Sequence, residues 1–162
     1  RTIEVPGYVL AHDGTRILRM IRFASELNFK IDFATLAAAK KYAHLLNDVS
    51  PAKKEAELMA ILRSSQKYPV SKKNAHIRGL NYFNELHLWN SFFVSTTKIH
   101  LKMVKKSSIE NMVYAFLIDI IDSLKPDCIE YFIKGLLGKD GYCKSSIRSP
   151  PVPTRGLAKL LM

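Results

Sequence analysis

Apolar residues at 17, 18, 21, 24 and 27 recur at the period of an α-helix, and arginines at 16, 19 and 22 fall between them. This two-sided pattern predicts a helix from Gly14 to Leu27, with Asp13 at its cap and Asn28 at a left-handed end. The apolar side must be buried against other elements. The arginines stay on one broad face, because each three-residue step drifts by only about 60°. Burying three guanidinium groups without acids is costly, so that face must meet an anion or carboxylates from elsewhere in the chain.

The rest of the chain carries the same kind of signal. Asp32 is placed to cap a helix over Phe33–Leu45, and Ser50-Pro51 starts another running to Arg63. A polar stretch, Ser64–Ser71, leads to a helix over Lys72–Leu86 with Ala75, Leu80 and Phe83 inward. Trp89, Phe92 and Phe93 are read as core anchors, since they sit among other apolar residues. Further helices are expected over Ile109–Leu124, ended by Pro126, and over Asp127–Leu137, closed by Gly138. Residues 1–11 read as extended, with a turn at Val5-Pro6-Gly7-Tyr8. No strand pattern follows. The expected fold is all-α, an irregular bundle or superhelix of about six to eight short helices. Its parts are residues 1–65, 66–148 and a basic tail at 149–162, with Ser149-Pro150-Pro151-Val152-Pro153 as a semi-rigid linker.

Composition narrows the function. The chain has 162 residues, 48% of them hydrophobic, which is enough for a core without a metal or disulfide staple. A net charge of +11 suggests a polyanionic partner, nucleic acid before acidic membrane. Cys128 and Cys143 are too few for a disulfide framework or a four-cysteine zinc site, and a reducing, cytoplasmic setting is the natural expectation. No apolar run is long enough to cross a membrane. The sequence opens on Arg1 with no signal-peptide pattern, and the simplest expectation is that residues precede it in a longer protein.

Sites for chemistry are scarce. Glu55 and Glu57 are two apart and point to different sides of a helix. Asp119 and Asp122 share a face but lie in an apolar helix, where a polar seam or cap contact is expected. No histidine immediately precedes Asp119, and no histidine pair has ligand spacing on one helix, so a His-Asp phosphohydrolase or regulatory domain is not supported. Gly135-Leu136-Leu137-Gly138-Lys139 is too short for a P-loop, and no glycine-flanked serine occurs. What remains is the Asp13-Gly14-Thr15-Arg16 segment. There an acceptor and a forked donor can present themselves to the edge of a base, or simply form a cap and a solvated ion pair. Lys98, Lys102, Lys105 and Lys106, with no acid between Thr96 and Ile109, make either a phosphate-facing segment or an ordinary wet face. The tail after Lys139 adds further basic residues, Lys144 and Arg148 among them.

One stretch resembles a known family. Arg1-Thr2-Ile3, then Asp13-Gly14-Thr15-Arg16-Ile17-Leu18-Arg19-Met20-Ile21-Arg22-Phe23-Ala24, is similar to the neck of class II tRNA nucleotidyltransferases. These are the CCA-adding enzymes and the related bacterial poly(A) polymerases. The likeness continues through Leu27–Asp32, Ala43–Pro51 and Glu57-Leu58, covers residues 1–65 well, and reaches His76–Leu88. It implies that Asp13 and Arg16 form an amino-acid template for incoming CTP or ATP. Arg19 and Arg22 would then orient the template or meet phosphate, and the lysines and tail would hold tRNA. His12 stands where the family has glutamate, and Ala52-Lys53 where it has Glu-Arg. The family's catalytic head, with its Gly-Ser or Gly-Gly motif and magnesium-binding Asp-x-Asp pair, has no counterpart here. The resemblance therefore implies a neck and body that select nucleotides and bind tRNA but are inactive alone, with Mg2+ expected only alongside the head. The alternatives are a related poly(A) polymerase, or a helical RNA-binding or assembly module without enzymatic activity.

Overall fold

The computed structural model describes residues 5–67, 74–93, 96–107 and 111–124. Among these residues the fold is all-α. The α-helices are α1 (Pro6–Ala11), α2 (Thr15–Glu26), α3 (Phe33–Lys41), α4 (Pro51–Leu62), α5 (Ser64–Lys67), α6 (Ala75–Glu85), α7 (Lys102–Lys106) and α8 (Met112–Ser123). Short 3-10 helices span Ala43–Asp48 and Leu88–Ser91.

Helix α2 is the centre of the bundle and packs against α4 and α6, which also pack against each other. Its Ile17, Leu18 and Ile21 are fully buried and Ala24 nearly so, as the helical period requires. The helix ends as its sequence predicts: Asn28 takes a left-handed φ of 58°, and the Phe29 N–H donates to the Ala24 carbonyl at 3.0 Å. Leu27, expected on the apolar stripe, lies on this closing turn and is exposed.

Two segments depart from expectation. The stretch around Pro6 is the helix α1, not extended chain. Proline at the first helical position loses no hydrogen bond and already has a helical φ, so the same residue that suggests a turn can start a helix. Leu10 of α1 is buried, and α1 packs on α3. Helix α3 is capped by Asp32 as expected, with the Thr35 N–H donating to Oδ1 at 3.1 Å and its hydroxyl to Oδ2 at 2.6 Å. It stops at Lys41 and tightens into the 3-10 helix Ala43–Asp48 rather than running to Leu45.

Pro51 starts α4, although the Ser50 hydroxyl makes no capping bond. The expected polar stretch begins with α5, whose Ser64 is fully buried. Helix α6 begins at Ala75, with Ala75, Leu80 and Phe83 inward. Trp89, Phe92 and Phe93 are core, as their apolar surroundings imply. The Trp89 ring centroid lies 4.7 Å from that of Phe83 and 5.7 Å from that of Phe116. Asn84 organises the polar side of this cluster. Its Oδ1 accepts from the Trp89 indole N–H at 2.7 Å and from the Ile99 N–H at 3.0 Å, while its Nδ2 donates to the Ile99 carbonyl.

Asp119 is fully buried on α8, and its carboxyl oxygens accept from the backbone N–H groups of Lys102, Met103 and Val104 at 2.9–3.1 Å. It caps the first turn of α7, the contact its apolar setting calls for. The helix expected at Asp127–Leu137, both cysteines and the tail lie outside the described residues.

Candidate functional site

The loop between α1 and α2 places Asp13 and Arg16. Gly14 is buried there, and a Cβ on it would lie 2.7 Å from the backbone carbon and oxygen of Leu45. Only glycine permits this approach to the 3-10 helix, so the close packing fixes where α2 begins. Asp13 Oδ1 accepts from the Thr15 N–H at 2.8 Å, which satisfies one free donor of the first turn. Hydrogen bonding from the Thr15 side chain holds the Asp13 carboxyl below its ordinary pKa, with the Thr15 backbone, Arg16 and Lys53 adding to the effect. Asp13 is therefore ionised at neutral pH and acts only as an acceptor.

Arg16 is exposed and does not pair with Asp13 among the described residues. Its Nη1 donates instead to the Val9 carbonyl at 2.7 Å, in the last turn of α1. That bond anchors the guanidinium of this exposed side chain through one amino group. An exposed acceptor and an anchored donor thus stand side by side at the start of α2.

The other two arginines answer the charge question differently. Arg22 is largely buried and its Nε donates to Glu57 Oε2 of α4 at 2.8 Å, with Glu26 Oε1 3.6 Å from its Nη1. Arg19 is 59% exposed and reaches the same Glu57 at 3.7 Å. Lys67 of α5 lies 3.2 Å from Glu26. The arginine stripe is thus neutralised at its inner end by carboxylates from its own helix and from α4, and open at its outer end. Arg22 is a tie between helices, while Arg16 and Arg19 are both exposed. Glu57 and Glu26 were not among the expected site residues. Glu26 sits four residues beyond Arg22, an ordinary helical ion-pair spacing that could have revealed it.

Lys98, Lys102, Lys105 and Lys106 are all exposed, the last three on α7 or at its start. Lys144 and Arg148 lie outside the described residues. Among the described residues no group of three or more histidine, cysteine, aspartate or glutamate side chains could hold a metal ion. No helix among them is long and apolar enough to cross a membrane.

The fold and this site define an all-α module with an exposed Asp–Arg pair at the head of its central helix. Comparison with curated proteins gives the module relatives. It is 30% identical over 98 residues to poly(A) polymerase I of Salmonella typhimurium, covering 60% of this chain and 19% of that protein. It is 37% identical over 62 residues to the CCA-adding enzyme of Levilactobacillus brevis, covering 38% of this chain and 16% of that protein. It is 30% identical over 95 residues to the CCA-adding enzyme of Staphylococcus epidermidis, covering 59% of this chain and 23% of that protein. At low identity and over part of its length, then, the chain is similar to CCA-adding enzymes and poly(A) polymerases, the family that its Asp13–Ala24 segment resembles. The match spans about a fifth of the length of these relatives. No family profile and no solved structure matches the chain.

Proposed function

We propose that this chain supplies base selection and tRNA binding in a tRNA 3′-terminal nucleotidyltransferase whose catalytic carboxylates lie outside it. One observation carries the reading: Asp13 and Arg16 are exposed together, the carboxylate fixed by Thr15 and the guanidinium by Val9. Cytosine and adenine both carry an amino donor where uracil and guanine carry a carbonyl. An ionised aspartate accepts from that amino group and rejects the carbonyl, while the arginine donates to the neighbouring ring nitrogen. A single acceptor–donor pair can thus serve both CTP and ATP. In this reading Arg19, the more exposed of the other two arginines, meets phosphate, and Arg22, tied to Glu57, holds the template in position. The exposed lysines at 98, 102, 105 and 106, with Lys144 and Arg148, are proposed to hold tRNA phosphates.

The test is nucleotide binding by the purified chain, followed by chemical-shift perturbation at millimolar CMP, AMP, UMP and GMP. The expected result is a response to CMP and AMP centred on residues 13–16, lost in Asp13→Ala and Arg16→Ala. Equal responses to all four nucleotides, or variants that respond like the parent, would sink the base-selecting role. In parallel, tRNA affinity should fall steeply with salt, and less steeply when Lys102, Lys105 and Lys106 are replaced by alanine. If only the lysine changes matter in both assays, the chain is a helical RNA-binding module and nothing more. Some relatives are named poly(A) polymerase, which favours adenylate addition as the second reading; a response to AMP without CMP would select it. The chain alone is expected to incorporate no nucleotide with Mg2+ present, and incorporation would overturn the division of labour proposed here.

A further inference from the structure

We propose that the Tyr8 ring, backed by His12, is a stacking platform for the nucleobase whose edge meets Asp13 and Arg16. The inference rests on the base-selecting role proposed above. Tyr8 lies on α1 and is 62% exposed, unlike Trp89, Phe92 and Phe93, which are core. Its ring packs against that of His12, with centroids 4.7 Å apart and planes tilted by 53°. His12 is itself exposed and immediately precedes Asp13, while Tyr8 immediately precedes Val9, whose carbonyl anchors Arg16. His12 therefore adjoins the acceptor along the chain, Tyr8 adjoins the residue whose carbonyl anchors the donor, and the Arg16–Val9 bond ties the two elements together in space.

The chemistry supports a platform here. Hydrogen bonds to Asp13 and Arg16 fix a base within its own plane and leave its two π faces uncovered. An aromatic ring beside such a pair covers one face without regard to which base is present, because every base has a π face. Tyrosine is well suited to stacking, since it has few rotatable bonds and a hydroxyl that tolerates water. Packing on His12 restricts the ring further. Helix α1 is held from beneath by buried Leu10 and by its contact with α3, so the platform stands on a fixed element. The ligand is a nucleobase, delivered either by a free nucleotide or by the 3′ end of an RNA.

The experiment compares the full chain with its Tyr8→Ala, Tyr8→Phe and Asp13→Ala variants against four probes. These are CTP, ribose 5-triphosphate, a short RNA hairpin ending in two cytidines, and the same hairpin with an abasic 3′ terminus. Tyr8→Ala should weaken binding of the base-bearing probe by roughly 5- to 150-fold, the range of one base–aromatic stack. Tyr8→Phe should keep the affinity within about 2-fold, and the probes lacking a base should not distinguish the variants. Loss with CTP alone assigns the platform to the incoming nucleotide, and loss with the hairpin alone assigns it to the RNA terminus. If Asp13→Ala weakens binding while Tyr8→Ala does not, the platform is refuted and base selection stands. If Tyr8→Ala weakens binding while Asp13→Ala does not, base selection fails and stacking alone remains. Absence of saturable binding by either base-bearing probe overturns both. An unchanged melting temperature in Tyr8→Ala, expected for so exposed a residue, removes misfolding as the cause.

Discussion

Gly79 sits where α6 crosses α2 and α4, and replacing it with alanine tests how the bundle holds its central helix. A Cβ at this position would lie 2.4 Å from Ile61 Cγ2 and 2.5 Å from Ser25 Oγ. Both contacts are more than about 1 Å inside the usual separation of non-bonded heavy atoms. The serine hydroxyl can rotate, although it would give up its bond to the Ile21 carbonyl at 2.8 Å. Ile61 has no such freedom, because it is β-branched, helical and fully buried. Overpacking of this kind costs about 1–3 kcal/mol, and two simultaneous clashes put Gly79→Ala near the upper end. Alanine returns about 1 kcal/mol of helix propensity, leaving a net loss of about 2 kcal/mol. For a chain of this length that corresponds to a fall in melting temperature of about 4–8 °C. Thermal and urea denaturation followed by circular dichroism reads it directly. Adding Ser25→Ala relieves one of the two clashes and should recover part of the loss, a coupling of at least about 0.5 kcal/mol. A Gly79→Ala protein as stable as the parent would show that α2, α4 and α6 are not packed this closely, and that α2 is not held rigidly between its neighbours.

Glu57→Ala leaves the largely buried Arg22 with the more distant Glu26 as its acidic partner among the described residues, and should cost about 1–3 kcal/mol in urea denaturation; no loss would mean that the clamp is idle. Asp119→Ala removes the acceptor for three backbone N–H groups at the start of α7 and should cost at least about 3 kcal/mol, with amide exchange accelerated at Lys102, Met103 and Val104. Unchanged exchange there would refute the cap. Burial pushes the His76 imidazole below its ordinary pKa, and Arg78 adds to the shift. Its folded pKa is depressed, so its contribution is fully present above the unfolded value near 6.5 and is lost as pH falls through the folded value. Stability should therefore decline below about pH 6.5, and His76→Gln should flatten that decline; an equally steep profile in the variant would assign it to other groups.

The local signals were the legible ones. The period of α2, the Asp32 cap, the Asn28 turn and the aromatic core all depend on residues close in sequence, and all appear in the structure. The partners of the arginines were not legible in the same way. Glu57 is 35 residues from Arg22, and nothing in periodicity says which helix will lie beside α2. Helix α3 ends early for a similar reason. The backbone at Leu45 and Leu46 must fit against Gly14, and a tighter 3-10 turn forms there in place of the helix that propensity favours. At Pro6 the signal was present but double-edged, since proline marks both turns and first helical positions.

That first helix matters to the proposed site in a way that can be sized. An unrestrained arginine side chain carries about 2 kcal/mol of rotamer entropy. A good bidentate contact to a base discriminates by about 1–3 kcal/mol. If Arg16 were ordered only on binding, the entropy loss would consume much of what base reading could gain. The bond to Val9 orders the guanidinium beforehand, and Val9 can accept it only because α1 folds back beside the start of α2. At the inner end of the same helix, Glu57 fixes Arg22 in the same fashion. Insertion of two glycines between His12 and Asp13 would keep every side chain of the pair while breaking the register of α1. On the proposed reading, nucleotide discrimination should fall almost as far as in Arg16→Ala. Discrimination that survives the insertion would mean that Arg16 reads a base without being held first.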